Sequence, residues 1–256
     1  MSKYSDMLNF KGKTVIVTGG LSGAGRAISD VFIESGANVI MTYNNSVHAA
    51  EEVKNKWPGR NLSFMHLDTG NLDSIDSFVK EIVDKGITID CLVNNAGIYP
   101  AKDMDEITPE DWDSMFDVNA RGVFFLTQKL RPFMKKGSIV NISSINATNP
   151  ARKLAHYGAS KAAVEMMTRS QAQAYGPDIR VNCIAPGLIF KEGQDEFIPG
   201  WADSYRDRSA LGKLVEPEEI GKLCLILASD LTSAVTGQVI TADCGVMLAP
   251  YFYNEL

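Results

Sequence analysis

A tyrosine and a lysine stand four residues apart in the alanine-rich run HYGASKAAV, residues 156–164. Four residues is about one turn of an α-helix, so Tyr157 and Lys161 should lie on one helix face, one above the other. A free phenol has a pKa of about 10, too high for a base at neutral pH. We expect the nearby ammonium to lower the pKa of Tyr157 and to fit it for general acid–base chemistry. Ordinary helices also contain this pair, so the surrounding chain has to distinguish the two interpretations.

A glycine-rich segment, TGGLSGAGRAI at residues 18–28, follows the first apolar run. Gly19, Gly23 and Gly25 predict a strand-to-helix turn in which backbone N–H groups and a helix N-terminus face a pyrophosphate. The spacing is GxxxGxG and differs from the usual GxGxxG fingerprint. A strand before the turn and a helix after it favour dinucleotide binding over a tight turn that binds nothing.

Short runs rich in valine and isoleucine alternate with helix-like segments along the chain. They predict an α/β fold, with one doubly wound parallel sheet of about seven strands and helices on both faces. Residues 1–256 are expected to form a single dinucleotide-binding and catalytic domain, in which the aperiodic residues 188–213, approximately, are a substrate-binding flap. The predicted strands lie in KTVIVTGG, NVIMTY, LSFMHLD, DCLVNNAG, SIVNISS, IRVNCIAPG and QVITADCG. The predicted helices lie in GRAISDVFIESGA and near residues 47–56, 72–85, 109–135, 157–175 and 217–229.

Composition and charge argue against several classes of protein. The 256 residues carry a formal net charge of −6, so a nucleic-acid partner, whose phosphates need a basic surface, is not expected. No apolar run approaches the roughly 20 residues that cross a bilayer, and residues 1–6 contain no signal-peptide core. The 4 cysteines show no CxxC spacing and the 3 histidines are dispersed, which predicts buried free thiols, no metal site and a reducing cytoplasm.

Eight motifs resemble those of the short-chain dehydrogenase/reductase family. They occur in the same order as in that family and extend over almost the whole chain. The resemblance implies a Rossmann-like NAD(P)-dependent oxidoreductase that interconverts a secondary alcohol and a ketone by hydride transfer. The motifs are TGGLSGAG, Asp68 after the third strand, NNAG at 94–97, VNARG around Asn119, NISS at 141–144, YGASK at 157–161, IAPG at 184–187 and TGQVITADCG at 236–245.

The resemblance implies a catalytic tetrad of Asn119, Ser144, Tyr157 and Lys161. Tyr157 would be the general acid in ketone reduction and the general base in alcohol oxidation. Ser144, 13 residues before Tyr157, would hold the substrate oxygen beside the phenol. Lys161 would also bind the nicotinamide ribose, and Asn119 would support a water chain toward Lys161. Taken singly, Asn119 or Ser144 is equally well explained as a strand-end or capping residue.

Further positions would contact the cofactor. The resemblance implies that Asp68 accepts from the adenine amino group, that Asn95 supports the central strand and the cofactor, and that the backbone near Ile189 meets the carboxamide. Two residues depart from the family pattern: Lys191 stands where threonine is common, and Cys244, which we expect to be a small packed residue, replaces a glycine. The other implied cofactor contacts are Gly19, Ser22, Gly23, Ala24, Gly25, Tyr43, Asn44, Thr69, Tyr157 and Lys161.

The end of the second strand bears on the choice of nicotinamide. NAD-specific relatives usually carry an aspartate there, which binds the ribose 2′-hydroxyl. Tyr43 occupies that position and Asn44 follows it, so no carboxylate would repel a 2′-phosphate. No arginine or lysine stands at 20–22 or 44–46, which leaves neutral hydrogen bonds from Asn44, Asn45 and Ser46. The pattern favours NADP(H), with NAD still possible.

The residues after Ser144, those after NNAG and the flap would form the substrate site. They suit a small-molecule ketone or secondary alcohol on a cyclic or moderately hydrophobic skeleton, although each residue is equally well explained by core packing. The contacts implied for the substrate are Ser144, Asn146 and Tyr157, with Ile98, Tyr99, Ile145, Leu154, Phe190 and Trp201 as further candidates.

Three other functions are weighed against this one. A 3-oxoacyl-carrier-protein reductase would need a basic docking surface, and Arg131, Lys135 and Lys136 form one short basic cluster in an acidic chain. An enoyl reductase is less favoured, because those relatives space the tyrosine and lysine more widely. A non-catalytic nucleotide-binding regulator would be expected to lose part of the tetrad.

The resemblance also implies a homotetramer, paired through helices that begin near Met104 and at Tyr157.

Overall fold

Seven strands form one parallel sheet in the order β3-β2-β1-β4-β5-β6-β7. The computed structural model of the chain describes residues 6–45, 49–190 and 200–248. Each predicted apolar run contributes one strand, so the predicted doubly wound sheet is confirmed. The strands are β1 (Thr14–Val17), β2 (Asn38–Tyr43), β3 (Leu62–His66), β4 (Cys91–Asn94), β5 (Gly137–Ile142), β6 (Ile179–Pro186) and β7 (Val239–Ala242).

Helices connect consecutive strands. The predicted helix at 109–135 is interrupted: one turn of π-helix, Asp117–Arg121, separates two α-helical segments, and a 3₁₀ turn follows at Arg131–Phe133. The α-helices are α1 (Gly23–Glu34), α2 (Ala49–Lys56), α3 (Leu72–Asp84), α4 (Pro109–Phe116), α5 (Gly122–Leu130), α6 (Ala155–Tyr175), α7 (Trp201–Arg208) and α8 (Pro217–Ala228).

Helix α3 illustrates how the sequence forms these elements. Asn71 caps its N-terminus, and the Asn71 side chain accepts hydrogen bonds from the backbone N–H groups of Asp73 and Ser74. The apolar residues Ile75, Phe78 and Ile82 recur every three or four positions and are all buried. This spacing lays one apolar stripe against the sheet, which is the usual way in which such a helix is stabilised.

Two apolar layers cover the sheet, one on each face. The first packs α1 and α8 against the sheet through residues such as Phe32 and Ile220, and the second packs α3 and α5 through residues such as Phe78 and Leu126. Strand β1 pairs with β2 on one side and with β4 on the other, so the direction of strand succession reverses there. A crevice opens at such a reversal, at the carboxyl ends of the strands, and ligands of doubly wound proteins bind in it.

The predicted flap is described in part. Ile189 forms an isolated parallel bridge with Val215. The backbone N–H of Leu188 donates to the phenol oxygen of Tyr205 on α7 at 2.9 Å. The sequence does not predict α7, because WADSYRDR is mostly polar and shows no apolar stripe. Residues 191–199, with Lys191, lie outside the described residues, as do residues 46–48, with Ser46, and the side chain of Trp201.

All four cysteines are free thiols. Cys91, Cys183 and Cys224 are buried, as predicted, whereas Cys244 is half-buried with a left-handed backbone φ of +55°. Within the described ranges, no helix has the length and apolar character that a membrane span requires. The same part of the chain contains no group of three or more His, Cys, Asp or Glu side chains arranged to hold a metal ion.

Candidate active site

Tyr157 and Lys161 lie in the first two turns of α6, at the carboxyl end of β5. The Lys161 side chain is buried, and its Nζ lies 5.8 Å from the centre of the Tyr157 ring. The same Nζ donates to the carbonyl oxygen of Ile142, the last residue of β5, at 2.9 Å. The helix therefore brings the two side chains together at the edge of the sheet, with the ammonium anchored on the strand end.

The pKa of Tyr157 differs from the expectation. Burial of the phenol raises its pKa, the interaction with Ser144 lowers it, and Tyr99 raises it further. The predicted lowering by Lys161 is wrong for this structure, because the ammonium is bonded to the Ile142 carbonyl and not to the phenol oxygen. Burial also lowers the pKa of Lys161 to about 8. Desolvation thus favours the neutral form of both groups.

Ser144 is the second residue after β5 and is buried at the start of a 3₁₀ turn, Ile145–Ala147. Its hydroxyl accepts from the backbone N–H of Asn146 at 3.1 Å and donates to the Asn146 side-chain oxygen at 3.3 Å. Ser144 is therefore a capping residue, and it also interacts with the Tyr157 phenol. Asn146 is oriented by the same hydrogen bonds.

Asn119 is buried inside the π-helical turn, an irregularity that is frequent at functional sites. Its amide binds both backbone groups of Ile98: Nδ2 donates to the carbonyl at 2.8 Å, and Oδ1 accepts from the N–H at 2.9 Å. A Cβ on Gly97 would lie 3.0 Å from Asn119 Oδ1 and 3.4 Å from Lys161 Nζ. The loop after β4, the π-helical turn and Lys161 therefore meet at one point.

The glycine turn fits a phosphate. Gly19 and Gly23 adopt positive φ values of +63° and +51°, and a Cβ on Gly25 would collide with the Gly19 carbonyl oxygen. Ser22, at the N-cap of α1, makes no capping hydrogen bond with its side chain, and the first turn contains no acidic residue. The N–H groups of this first turn, which includes Ala24, are thus left without a side-chain cap within the described chain and suit an anion.

Asn95 joins the two central strands. Its Nδ2 donates to the Thr18 carbonyl at 2.9 Å, and the Thr18 hydroxyl accepts from the backbone N–H groups of Asn95 and Ala96, both at 2.9 Å. These bonds tie the end of β1 to the end of β4, beside the glycine turn. They are consistent with the predicted supporting role of Asn95.

The predicted adenosine contacts lie at the ends of β2 and β3. Tyr43 ends β2 and Asn44 follows it, exposed. Asp68 is half-buried, and its Oδ1 accepts from the Gly70 N–H at 2.9 Å. Thr69 is buried next to it. Ile189, predicted to meet the nicotinamide, lies beyond the end of β6, on the other side of the strand reversal.

The substrate candidates divide by exposure. Tyr99 is 65% exposed, and its ring packs edge-to-face on that of Tyr157 with 6.2 Å between centroids. Phe190 is also exposed. Ile145 is buried, Leu154 is half-buried, and Ile98 is held through its backbone by Asn119. Among the candidates whose side chains the structure describes, Tyr99 and Phe190 therefore offer the most exposed surface for a ligand.

One buried side chain near the site was not predicted. Glu165 lies one turn after Lys161 and accepts from the Ser143 hydroxyl at 3.1 Å, and that hydroxyl also lies 3.2 Å from the Lys161 carbonyl oxygen. The contact ties β5 to α6 directly beside Ser144. A lone glutamate in an alanine-rich helix gives no sequence signal for such a role.

The fold and the arrangement of the site together indicate the class of protein. A glycine-rich turn at the strand reversal, an uncapped helix N-terminus and a polar edge formed by the next strands are the features of a Rossmann-like dinucleotide-binding protein. The tyrosine and lysine on α6 add acid–base groups to this crevice.

Comparisons with known proteins indicate the family within this class. A family model described as enoyl-(acyl carrier protein) reductase matches residues 19–247. The 3-oxoacyl-(acyl-carrier-protein) reductase of Thermotoga maritima is 37% identical over 250 residues, which cover 94% of this chain and 100% of the relative. The meso-2,3-butanediol dehydrogenase of Serratia marcescens is 31% identical over 245 residues, which cover 93% of this chain and 96% of the relative.

Comparison with a solved structure supports the same family. The crystal structure of a short chain dehydrogenase from Burkholderia cenocepacia in complex with NADP has a TM-score of 0.87 and 30% identity, and the match covers 93% of this chain and 99% of that chain. The chain belongs to the short-chain dehydrogenase/reductase family, and is an NAD(P)-dependent oxidoreductase acting on CH–OH or C=O groups.

Proposed function

We propose that this chain interconverts a small-molecule ketone and the corresponding secondary alcohol with NADP(H), using Tyr157 as the acid or base. The observation that carries the proposal is the meeting of Tyr157, Lys161, Ser144 and Asn119 around the carboxyl ends of β4 and β5. The crevice beside the glycine turn supplies a place for the cofactor next to these groups.

The residues present fit a nicotinamide dinucleotide. The first turn of α1 would hold the pyrophosphate, Asp68 and Thr69 the adenine, and Lys161 the nicotinamide ribose. When bound, the nicotinamide supplies or accepts a hydride. The absence of a carboxylate at Tyr43 and Asn44 supports NADP(H), and a relative of similar structure is described in complex with NADP.

Tyr157 handles the proton. Because burial raises its pKa, the phenol is protonated at neutral pH and can donate its proton to a carbonyl oxygen. The Ser144 hydroxyl can hold the same oxygen while negative charge develops on it. With a pKa of about 8, Lys161 is mainly an ammonium at pH 7, and its hydrogen bond to the Ile142 carbonyl leaves the phenol in its protonated form. This favours ketone reduction at neutral pH.

A substrate panel tests the proposal. Purified protein should oxidise NADPH with small cyclic and hydrophobic ketones and reduce NADP⁺ with the matching alcohols, followed by nicotinamide absorbance. The panel should include a 3-oxoacyl thioester and an enoyl thioester. Binding of the cofactor without turnover of any ketone or alcohol would contradict the proposal and favour a non-catalytic nucleotide-binding regulator.

Reduction of a 3-oxoacyl group on a carrier protein is the second candidate, and the 37% identical relative from Thermotoga maritima supports it. The basic cluster predicted for docking does not: Lys135 and Lys136 precede β5, whereas Ser144 follows it, so they lie at opposite ends of the strand. Arg131 is 4.0 Å from Asp178. If the carrier docks on this cluster, reversing the charge of both lysines should abolish activity on the acyl carrier while leaving free ketones unaffected.

A homotetramer paired through α4 and α6 is the proposed assembly. Met104, Trp112 and Met166 are large apolar side chains that are exposed on or before these helices, which supports burial against another copy. Light scattering at micromolar concentration should give four times the mass of the chain. A monomer would contradict the proposal.

A further inference from the structure

A positive charge strengthens the recognition of a 2′-phosphate, and the expected positions do not supply one. Residues 20–22 and 44–46 contain no arginine or lysine. Two cations on the adjacent helices are already engaged: Arg26 and Lys56 lie 3.1 and 2.8 Å from the carboxylate of Asp30. A phosphate held only by neutral groups would be bound more weakly than by charge-assisted hydrogen bonds.

The structure brings a histidine to this position from the neighbouring strand. In the parallel register of β2 and β3, Tyr43 is paired with His66. The two rings are in edge-to-face contact, with 5.9 Å between centroids and an interplanar angle of 79°. Tyr43 is half-buried, whereas His66 is exposed, so the imidazole borders the tyrosine on the solvent side. His66 thus lies beside the residue that ends β2, where the ribose 2′-position is bound in this fold.

A lysine on α2 reaches the same face of β3. Phe64 and His66 are two residues apart on the strand and therefore point to the same side of the sheet. From α2, the Nζ of Lys54 lies 5.3 Å from the centre of the Phe64 ring. Asp68 lies two residues after the end of β3, and its Oδ1 accepts a hydrogen bond from the Gly70 N–H.

We propose that His66 recognises the 2′-phosphate of NADP(H) by hydrogen bonding, and that Lys54 adds a positive charge from α2. An imidazole ring nitrogen can donate its hydrogen to a phosphate oxygen. The assignment rests on the proposed use of NADP(H), but it concerns binding of the adenosine half alone. It can therefore be tested without turnover.

Calorimetry with two small probes isolates the phosphate. Adenosine 2′,5′-bisphosphate and 5′-AMP differ only in the 2′-phosphate, so the ratio of their affinities measures its recognition. His66→Gln should reduce this ratio about five- to tenfold, Lys54→Gln by less, and His66→Arg should increase it. Lys80→Gln is the matched control, because Lys80 is an exposed cation on α3 paired with Asp84 and its loss should leave the ratio unchanged.

The outcomes separate this assignment from the proposed function. An unchanged ratio in His66→Gln, or no increase in His66→Arg, would overturn the assignment while leaving turnover with NADPH or NADH intact. A wild-type protein that binds both probes equally would also overturn it. If the wild-type protein bound none of NADPH, NADH and the two probes, both the assignment of His66 and the proposed function would be contradicted.

Discussion

Helices α3 and α6 cover the same face of the sheet with inward surfaces of opposite character. Helix α3 buries Ile75, Phe78 and Ile82, as an amphipathic helix does. Helix α6 is longer, and most of its buried side chains are polar. These buried polar residues are His156, Ser160, Lys161, Glu165, Thr168 and Gln171.

Three of the buried polar residues of α6, Lys161, Glu165 and Thr168, are held by hydrogen bonds to β5 and to Ser143 just after it. The Asn141 amide nitrogen on β5 donates to the Thr168 hydroxyl at 2.9 Å, and its oxygen accepts from Asn94 on β4 at 2.8 Å. Asn94 also donates to Thr127 on α5 at 2.9 Å. Burying such groups is unfavourable unless they are paired, so α6 depends on specific partners where α3 depends on apolar area. The comparison indicates that α3 serves the fold and that α6 serves the site.

The substitution Tyr157→Phe is the strongest test of whether α6 serves the site. Removing the phenol oxygen should reduce kcat about 10²- to 10⁴-fold, since the general acid is lost, while the variant still folds and binds the cofactor. Tyr99→Phe is the matched control, because this second phenol is 65% exposed and contacts the first; it should retain most of the turnover. Steady-state kinetics and cofactor titration measure both variants. Full turnover in Tyr157→Phe would exclude the assigned role.

The dependence on pH should follow the two buried groups on α6. Alcohol oxidation needs the phenolate, and because the Tyr157 pKa is raised, its kcat/KM should increase about tenfold per pH unit through the neutral range. Ketone reduction uses the protonated phenol and the Lys161 ammonium, so its kcat/KM should decline as the pH rises through the Lys161 pKa of about 8. Profiles measured in both directions check this. A reduction rate that is constant to high pH would show that Lys161 does not need its charge.

Asn141→Leu should destabilise the fold more than an apolar change at α3. The substitution removes one partner each from Thr168 and Asn94 inside the buried network, at about 2–3 kcal/mol. Ile75→Val, which removes one methylene group from the buried face of α3, should reduce the free energy of unfolding by about 1 kcal/mol. Denaturant midpoints at constant m-value measure both. Equal destabilisation would mean that the network contributes no more than ordinary packing.

The same contrast explains what the sequence can predict. The seven strands and α3 follow from apolar periodicity, and the placement of Tyr157 and Lys161 together follows from helical spacing. The raised pKa of Tyr157 does not, because desolvation depends on everything packed around the phenol. Nor does the contact of Tyr43 with His66, which depends on the register of two strands. Properties that depend on neighbours distant in the chain require the structure.

The smallest expected effect concerns stability and arises from backbone conformation in the turns that follow α3 and β7. After α3, the chain turns through Gly86 at a φ of +62°, a value that glycine adopts without strain, whereas after β7 it turns through Cys244 at +55°. A side chain disfavours this region by roughly 1–2 kcal/mol, so Cys244→Gly should stabilise the protein by about 1 kcal/mol, less the contacts of the half-buried thiol. Gly86→Ala should destabilise it by a similar amount. Thermal unfolding of both variants measures the effect, and a destabilised Cys244→Gly would mean that the thiol contributes more through packing than its backbone loses through strain.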